Sequence, residues 1–141
     1  MIESKTIQKY QKYSTPKLIK IAERHFNEFI RNRDRNGDYF YCPTCRQTKR
    51  IDGDNYQACH CFPGGQYGWI KFHEDNVHGG CKSCNYFKHG ANYEYNDWVR
   101  EKIGDERYNK LKILNEYHHH HGFKWDRMSL IEIIETYKNK K

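Results

Sequence analysis

Two short cysteine turns constrain this chain more than any other feature: Cys42-Pro-Thr-Cys45 and Cys81-Lys-Ser-Cys84. Each is a CxxC knuckle, and a tetrahedral zinc ion takes four thiolates readily when they come as two such chelates. The chain needs a staple of this kind. Its 141 residues are only 36% hydrophobic, which is thin for one continuous core. Much of the remaining bulk is half-polar, with 12 Tyr, 7 Phe and 3 Trp. The opening MIESKTIQKYQKY is polar, with no signal-peptide character, and no apolar run approaches bilayer length. A reducing, cytoplasmic setting without membrane contact is therefore expected, in which paired cysteines read as metal ligands before disulfides. A redox-active CxxC would need a strand-helix-strand context that is missing here. Cys59 or Cys61 replacing one knuckle cysteine is a remaining alternative for the zinc shell.

The two knuckles divide the chain. Before them, Ser14-Thr15-Pro16 reads as a helix entry, a hydroxyl cap followed by proline where no donor is needed. Leu18, Ile21, Ala22, Phe26, Phe29 and Ile30 then recur at helical spacing, so residues 16–35 are expected to form an N-terminal helix. Its basic outer face ends in Arg31, Arg33 and Arg35, and Asn36-Gly37 stops it. The zinc-framed core covers residues 39–90. Residues 67–72 look strand-like, and a strand, a turn, a second strand and a helix starting near the second knuckle make a ββα unit. Residues 92–139 supply C-terminal helices, broken at Gly104, with Trp98, Val99, Ile103, Leu111 and Leu114 facing inward. Asp126 caps the last of them, which carries Met128, Leu130, Ile131, Ile134 and Tyr137. The run at residues 118–121 reads as a solvated histidine loop. The expected class is α+β in a single domain, 1–141.

The excess of 25 Lys plus Arg over 18 Asp plus Glu leaves a formal charge of +7, which suits a polyanion such as DNA. A solvated basic face would look the same from composition alone. Inside the frame lie His60, Asn76, His78, Asn85 and His89. A histidine with an ordinary pKa near 6.5 can accept a proton from water at neutral pH. Asn85 reads equally as a helix cap, His60 as a structural histidine, and His78 as a loop residue.

The ordered set His60, Asn76 and CKSCN, inside two zinc knuckles, resembles the HNH or ββα-metal nucleases, a group that includes T4 endonuclease VII. With HFNEFIRNRD, FHEDNVHGGCKSCNYFKHGANYEY and IGDERYNKL, the chain looks like the NinG (Rap) family of lambdoid phage recombination proteins, over about residues 18–137. The resemblance implies a zinc-clasped ββα-metal core and a metal-dependent endonuclease acting on branched recombination intermediates inside a bacterial host. It places His60 as general base and Asn76 as the brace of the histidine loop. Asn85 and His89, with His78 first and Asp75 second as further donors, would hold a catalytic Mg(II) or Mn(II). Arg31, Arg33, Arg35, Lys71, Lys82 and Lys88 are the expected DNA contacts. A resolvase of this kind is expected to act as a homodimer, although no heptad seam marks one. The departure is Cys59, where endonuclease VII-like sites have an aspartate. A soft thiol is a poor ligand for Mg(II). A zinc-stabilised DNA-binding recombination protein that does not cut, or an HNH nuclease of linear DNA, are the alternatives.

Overall fold

The computed structural model describes residues 2–62, 68–88 and 93–140, the side chains of residues 86–88 excepted. Helix α1 (Ser4–Lys9) precedes the long α2 (Thr15–Asp34). A hairpin follows, β1 (Tyr39–Cys42) and β2 (Gln47–Arg50), and then a second antiparallel pair, β3 (Tyr56–His60) and β4 (Val77–Cys81). Helix α3 (Lys82–Lys88) continues directly from β4, and α4 (Tyr93–Ile103), α5 (Asp105–His121) and α6 (Arg127–Lys138) complete the chain. The mixed α and β class is as expected from sequence. Among the described residues no helix is long and apolar enough to cross a membrane.

Helix α2 begins where its sequence says it should. Ser14 Oγ accepts a hydrogen bond from the Lys17 amide, and Pro16 sits in the first turn. Its buried stripe is Leu18, Ile19, Ala22, Phe26 and Ile30, with Ile21 and Phe29 only partly covered. The stripe packs on Leu130, Ile131, Ile134 and Tyr137 of α6, whose first turn is capped by Asp126 Oδ1 accepting from the Ser129 amide. Met128, in the first turn of the same helix, is 43% exposed.

The β3–β4 register pairs Cys59 with His78 and His60 with Val77. Alternation then assigns the two faces. Ala58 and Val77 join the α2–α6 core, while Cys59 packs with Ile70, Tyr95, Val99, Ile103, Tyr108 and Leu111 in a second core under α4 and α5. Tyr56 lies across the first face, its ring stacked on Phe40 at 4.5 Å and its hydroxyl donating to the Arg31 carbonyl at 2.8 Å. Gly79 makes room for that ring: a Cβ there would fall 2.6 Å from Tyr56 Cε1.

Two segments differ from the sequence reading. Trp69–Phe72 is a 3-10 turn where a strand was expected. The turn sends Ile70 into one core and Phe72 into the other, which a strand lying on one sheet face does not do. Residues 118–121 continue α5 where a loop was expected. There the Tyr117 and His121 rings stack at 4.2 Å, and His118 lies 4.9 Å from Trp69. The break at Gly104 is real, with φ of 89°, a left-handed conformation that glycine tolerates without penalty.

Arg33 ties the end of α2 to the start of β4. Its guanidinium donates to the carbonyls of Glu74 at 3.1 Å and Val77 at 2.8 Å, and forms a two-pronged pair with Asp34 at 2.7 and 2.9 Å. Asp34 in turn accepts from the Gly79 amide at 2.8 Å. His78 completes the network: Nε2 donates to the Asp75 carbonyl at 2.8 Å, leaving Nδ1 to accept from Arg33 at 3.2 Å. Burial, reinforced by Lys102 and Arg33, pulls the His78 pKa down to about 4. Replacing Arg33 by methionine strips Asp34 of its main partner and should cost about 2–3 kcal/mol in urea unfolding. Because folded His78 stays neutral while unfolded His78 titrates near 6.5, its contribution is complete above that pH. It is lost as pH falls toward about 4. A His78→Gln variant should therefore show a shallower loss of stability through this window than the native protein, with acid release of any bound metal common to both.

Candidate metal centre and adjoining cleft

The first knuckle is the turn of the β1–β2 hairpin. Arg46 closes it with a hydrogen bond from its amide to the Cys42 carbonyl at 2.8 Å, and takes a left-handed φ of 59°. The second knuckle spans the junction of β4 and α3, with Cys81 ending the strand and Cys84 in the first helical turn. The four sulfurs of Cys42, Cys45, Cys81 and Cys84 all lie within 4.8 Å of one another. Around a tetrahedral zinc with bonds of about 2.3 Å, sulfurs stand about 3.8 Å apart. The Cys45 and Cys81 sulfurs, at 4.0 Å, already approach that edge length. The four cysteines can hold a structural metal such as zinc.

The other two cysteines are outside that group of four, although Cys59 borders it in a small pocket with Cys42, Cys81, Cys84 and Asn85. Cys59 Sγ points to the Gln57 carbonyl at 3.7 Å, and Cys61 Sγ donates to Asn96 Oδ1 at 3.1 Å. Burial is the main cause pushing both thiols up to about 12, which leaves them protonated at neutral pH. Cys81 behaves in the opposite way. Hydrogen bonds from Ser83 and Cys84 outweigh its burial and lower its pKa, while burial and the neighbouring thiols raise those of Cys45 and Cys84.

Beside this clasp opens a cleft of about 630 Å³. One wall is the outer edge of α2, where Glu23, Asn27 and Arg31 recur every four residues and so share a face. The facing wall is β3, from Tyr56 to His60, and Asn85 of α3 and Lys71 of the 3-10 turn join it. His60 Nε2 lies 3.1 Å from the Lys71 carbonyl. A carbonyl only accepts, so Nε2 carries the hydrogen and Nδ1 keeps its lone pair. No hydrogen bond occupies Nδ1 among the described residues. Burial lowers the His60 pKa below its ordinary value, with Glu23 pulling it up and the Lys71 charge pushing it down. The ring is neutral at pH 7 and has one basic nitrogen free.

Asn76, fully buried, sits behind the loop that follows His60. Its Oδ1 accepts from the Phe62 amide at 2.7 Å, and Nδ2 donates to the carbonyls of Phe62 at 3.0 Å and Ile70 at 3.2 Å. One side chain thereby fixes both ends of the segment leading from His60 to the turn that holds its ring. Asn85 Nδ2 donates to Gln57 Oε1 at 3.1 Å, and its Oδ1 has no hydrogen-bond partner among the described residues.

The other expected site residues separate into groups. Arg31 and Lys71 line the cleft, although the Lys71 ammonium is held by Glu23 at 2.8 Å. Lys82 pairs with Asp54 at 2.5 Å, and Arg35 donates to the Gly37 carbonyl at 2.7 Å. Arg33 is not a free cation, because its guanidinium is engaged in the tie described above. His78 does not join His60, because strand alternation sends it to the opposite face of the sheet and both its ring nitrogens are in use. Asp75 is likewise bonded to Arg107. His89 lies outside the described residues, as does the side chain of Lys88. Sequence reasoning missed Glu23 and Asn27. The signal was present as a polar stripe at i, i+4 and i+8 beside the apolar one, but nothing local says what a polar stripe faces.

The model for the family described as "Bacteriophage Lambda NinG protein" matches residues 3–141. Protein ninG of Escherichia phage lambda is 29% identical over 100 residues, which is 71% of this chain and 46% of the relative. Protein ninG of Salmonella phage P22 is 33% identical over 86 residues, 61% of this chain and 39% of the relative. The match thus spans less than half the length of these relatives. No solved structure matches. The cysteine clasp, the cleft beside it and a family match running almost from end to end make this chain a member of the phage NinG family.

Proposed function

We propose that the chain is a metal-dependent endonuclease of the HNH class, acting on branched DNA. The observation that carries this reading is His60. It is a neutral histidine whose Nε2 is tied to a backbone carbonyl and whose Nδ1 has no hydrogen bond among the described residues, and it lines a cleft with Asn85, Arg31 and Lys71. The strand pair β3–β4 and helix α3 supply the ββα order of that class, and the thiol clasp would hold a structural zinc at its base. Branched DNA as substrate rests on the NinG resemblance alone.

In this reading His60 Nδ1 takes a proton from a water molecule as the water attacks phosphorus. Asn76 keeps the ring in place by fixing the loop on either side of it. Arg31 and Lys71 receive the phosphate backbone, and such contacts give affinity and register without reading sequence. The cleft donors are hard oxygens, which suit Mg(II) or Mn(II), whereas the clasp donors are thiolates, which suit zinc. A divalent ion held at Asn85 would supply positive charge to the pentacovalent phosphorus and the departing 3′ oxygen. The rival reading, a zinc-stabilised DNA-binding protein that does not cut, draws on Cys59, which stands where a metal-binding aspartate would be expected.

The native protein should carry one tightly bound zinc, and Cys81→Ser should lose it and unfold the segment between the knuckles. Metal analysis of freshly purified protein that finds no zinc removes the clasp. Labelled four-way junction, flap and linear duplex, each with Mg(II), Mn(II) or EDTA, decide the activity. His60→Ala should lower metal-dependent junction cleavage by about 10²-fold or more while keeping zinc and junction binding. Binding without cleavage under every ion favours the rival, and cutting of linear duplex at one motif favours an ordinary HNH nuclease. Since burial lowers the His60 pKa, the acidic limb of kcat/KM should have its midpoint below 6.5. Activity should be flat from there to neutrality and fall only as Nδ1 becomes protonated.

A further inference from the structure

If position 59 supplies no hard ligand, some other group must complete the ion site. We propose that Glu23 of helix α2 provides that carboxylate, so that the divalent ion is held between α2 and the Asn85 amide oxygen. The proposal rests on the nuclease reading and goes beyond it, because it moves the acidic ligand from the strand to the opposite wall of the cleft.

Three observations lead there. Cys59 is a soft thiol packed toward the α4–α5 core, on the sheet face away from His60 and Ala58, and although it borders Asn85 on that side it does not line this cleft. Within the cleft the acidic side chains are Glu23 and Asp54. Asp54 is 77% exposed at the rim and engaged by Lys82, whereas the Glu23 side chain is only 32% exposed and reaches inward to Lys71. Finally, Asn85 lines the same cleft, and its Oδ1 has no hydrogen-bond partner among the described residues, so that oxygen is available to a cation. One carboxylate and one amide oxygen, with water and phosphate oxygens filling the remaining positions, is an ordinary Mg(II) shell.

Lys71 then has a definite part. Its carbonyl orients His60 and its ammonium neutralises Glu23 at 2.8 Å. An incoming phosphate attracts that ammonium, and a cation attracts the carboxylate, so the ion pair can be exchanged for the two ligands together. Glu23 would be released to the ion as Lys71 turns to the DNA. Phosphate binding would thereby tighten an ion site that the chain already offers without DNA, with no new bond within the protein.

The test is Mn(II) binding to the full, zinc-loaded chain without DNA, followed by the electron paramagnetic resonance of free Mn(II). Native protein should bind one Mn(II). Glu23→Gln and Asn85→Ala should each weaken it about tenfold or more, and Glu23→Asp should fall between. Lys71→Met should bind Mn(II) at least as tightly as the native protein, since a competing ammonium has been removed; a purely structural ion pair would not give that result. Zinc content and thermal melting establish that each variant is folded. Equal Mn(II) affinity in Glu23→Gln and native protein overturns the proposal, as does the absence of Mn(II) binding by the native chain. Junction cleavage that disappears in His60→Ala would then leave the nuclease reading standing without Glu23. Mn(II) binding that depends on Glu23, with no cleavage of any substrate, keeps the site and removes the nuclease.

Discussion

Four thiols drawn together at one point hold the middle of this molecule. The β1–β2 hairpin is too small to be stable alone, and the strand pair beside it is equally short. What joins them is the convergence of Cys42 and Cys45 from the hairpin turn with Cys81 and Cys84 from the junction of β4 and α3. Tyr56 and Phe40, stacked at 4.5 Å, extend that joint into a small third core. The clasp sets where α3 begins, and α3 carries Asn85 into the cleft wall. A clasp that can hold a structural metal therefore bears on where Asn85 stands in the cleft wall.

Helix α2 is the second organiser, and it uses three faces for three tasks. Its apolar stripe builds the main core with α6. Its last turn carries Arg33 and Asp34, which grip β4 through backbone groups from Glu74 to Gly79. Its remaining polar stripe, Glu23, Asn27 and Arg31, closes the cleft opposite His60. The helix is in large part a structural beam. Only Arg31 among its three C-terminal arginines lines the cleft.

The local elements were legible because their signals are local. A hydroxyl cap and proline open α2, an aspartate opens α6, a glycine separates α4 from α5, and the cysteine spacing foretold the four-sulfur group. The failures have a common cause. Trp69–Phe72 carries strand-like aromatic residues, yet its conformation is dictated by two cores that claim Ile70 and Phe72 separately. The histidine run became helix because its rings found neighbours in Tyr117 and Trp69. Short β3 and β4 look alike from either side in sequence, so which histidine met the cleft was open.

The sequence by itself determined the class of the chain, the identity of the four metal-ready thiols and the candidacy of His60, because spacing and side-chain chemistry suffice for these. Only the tertiary structure decided that His78 and Arg33 are tied to each other, that Cys59 turns toward a hydrophobic core, and that Glu23 faces the same space as His60. Those outcomes depend on strand register and on which helix face meets which sheet face. A shift of one residue in the pairing of β3 with β4 would exchange the roles of His60 and Cys59, and that register is set by packing between segments far apart in the chain.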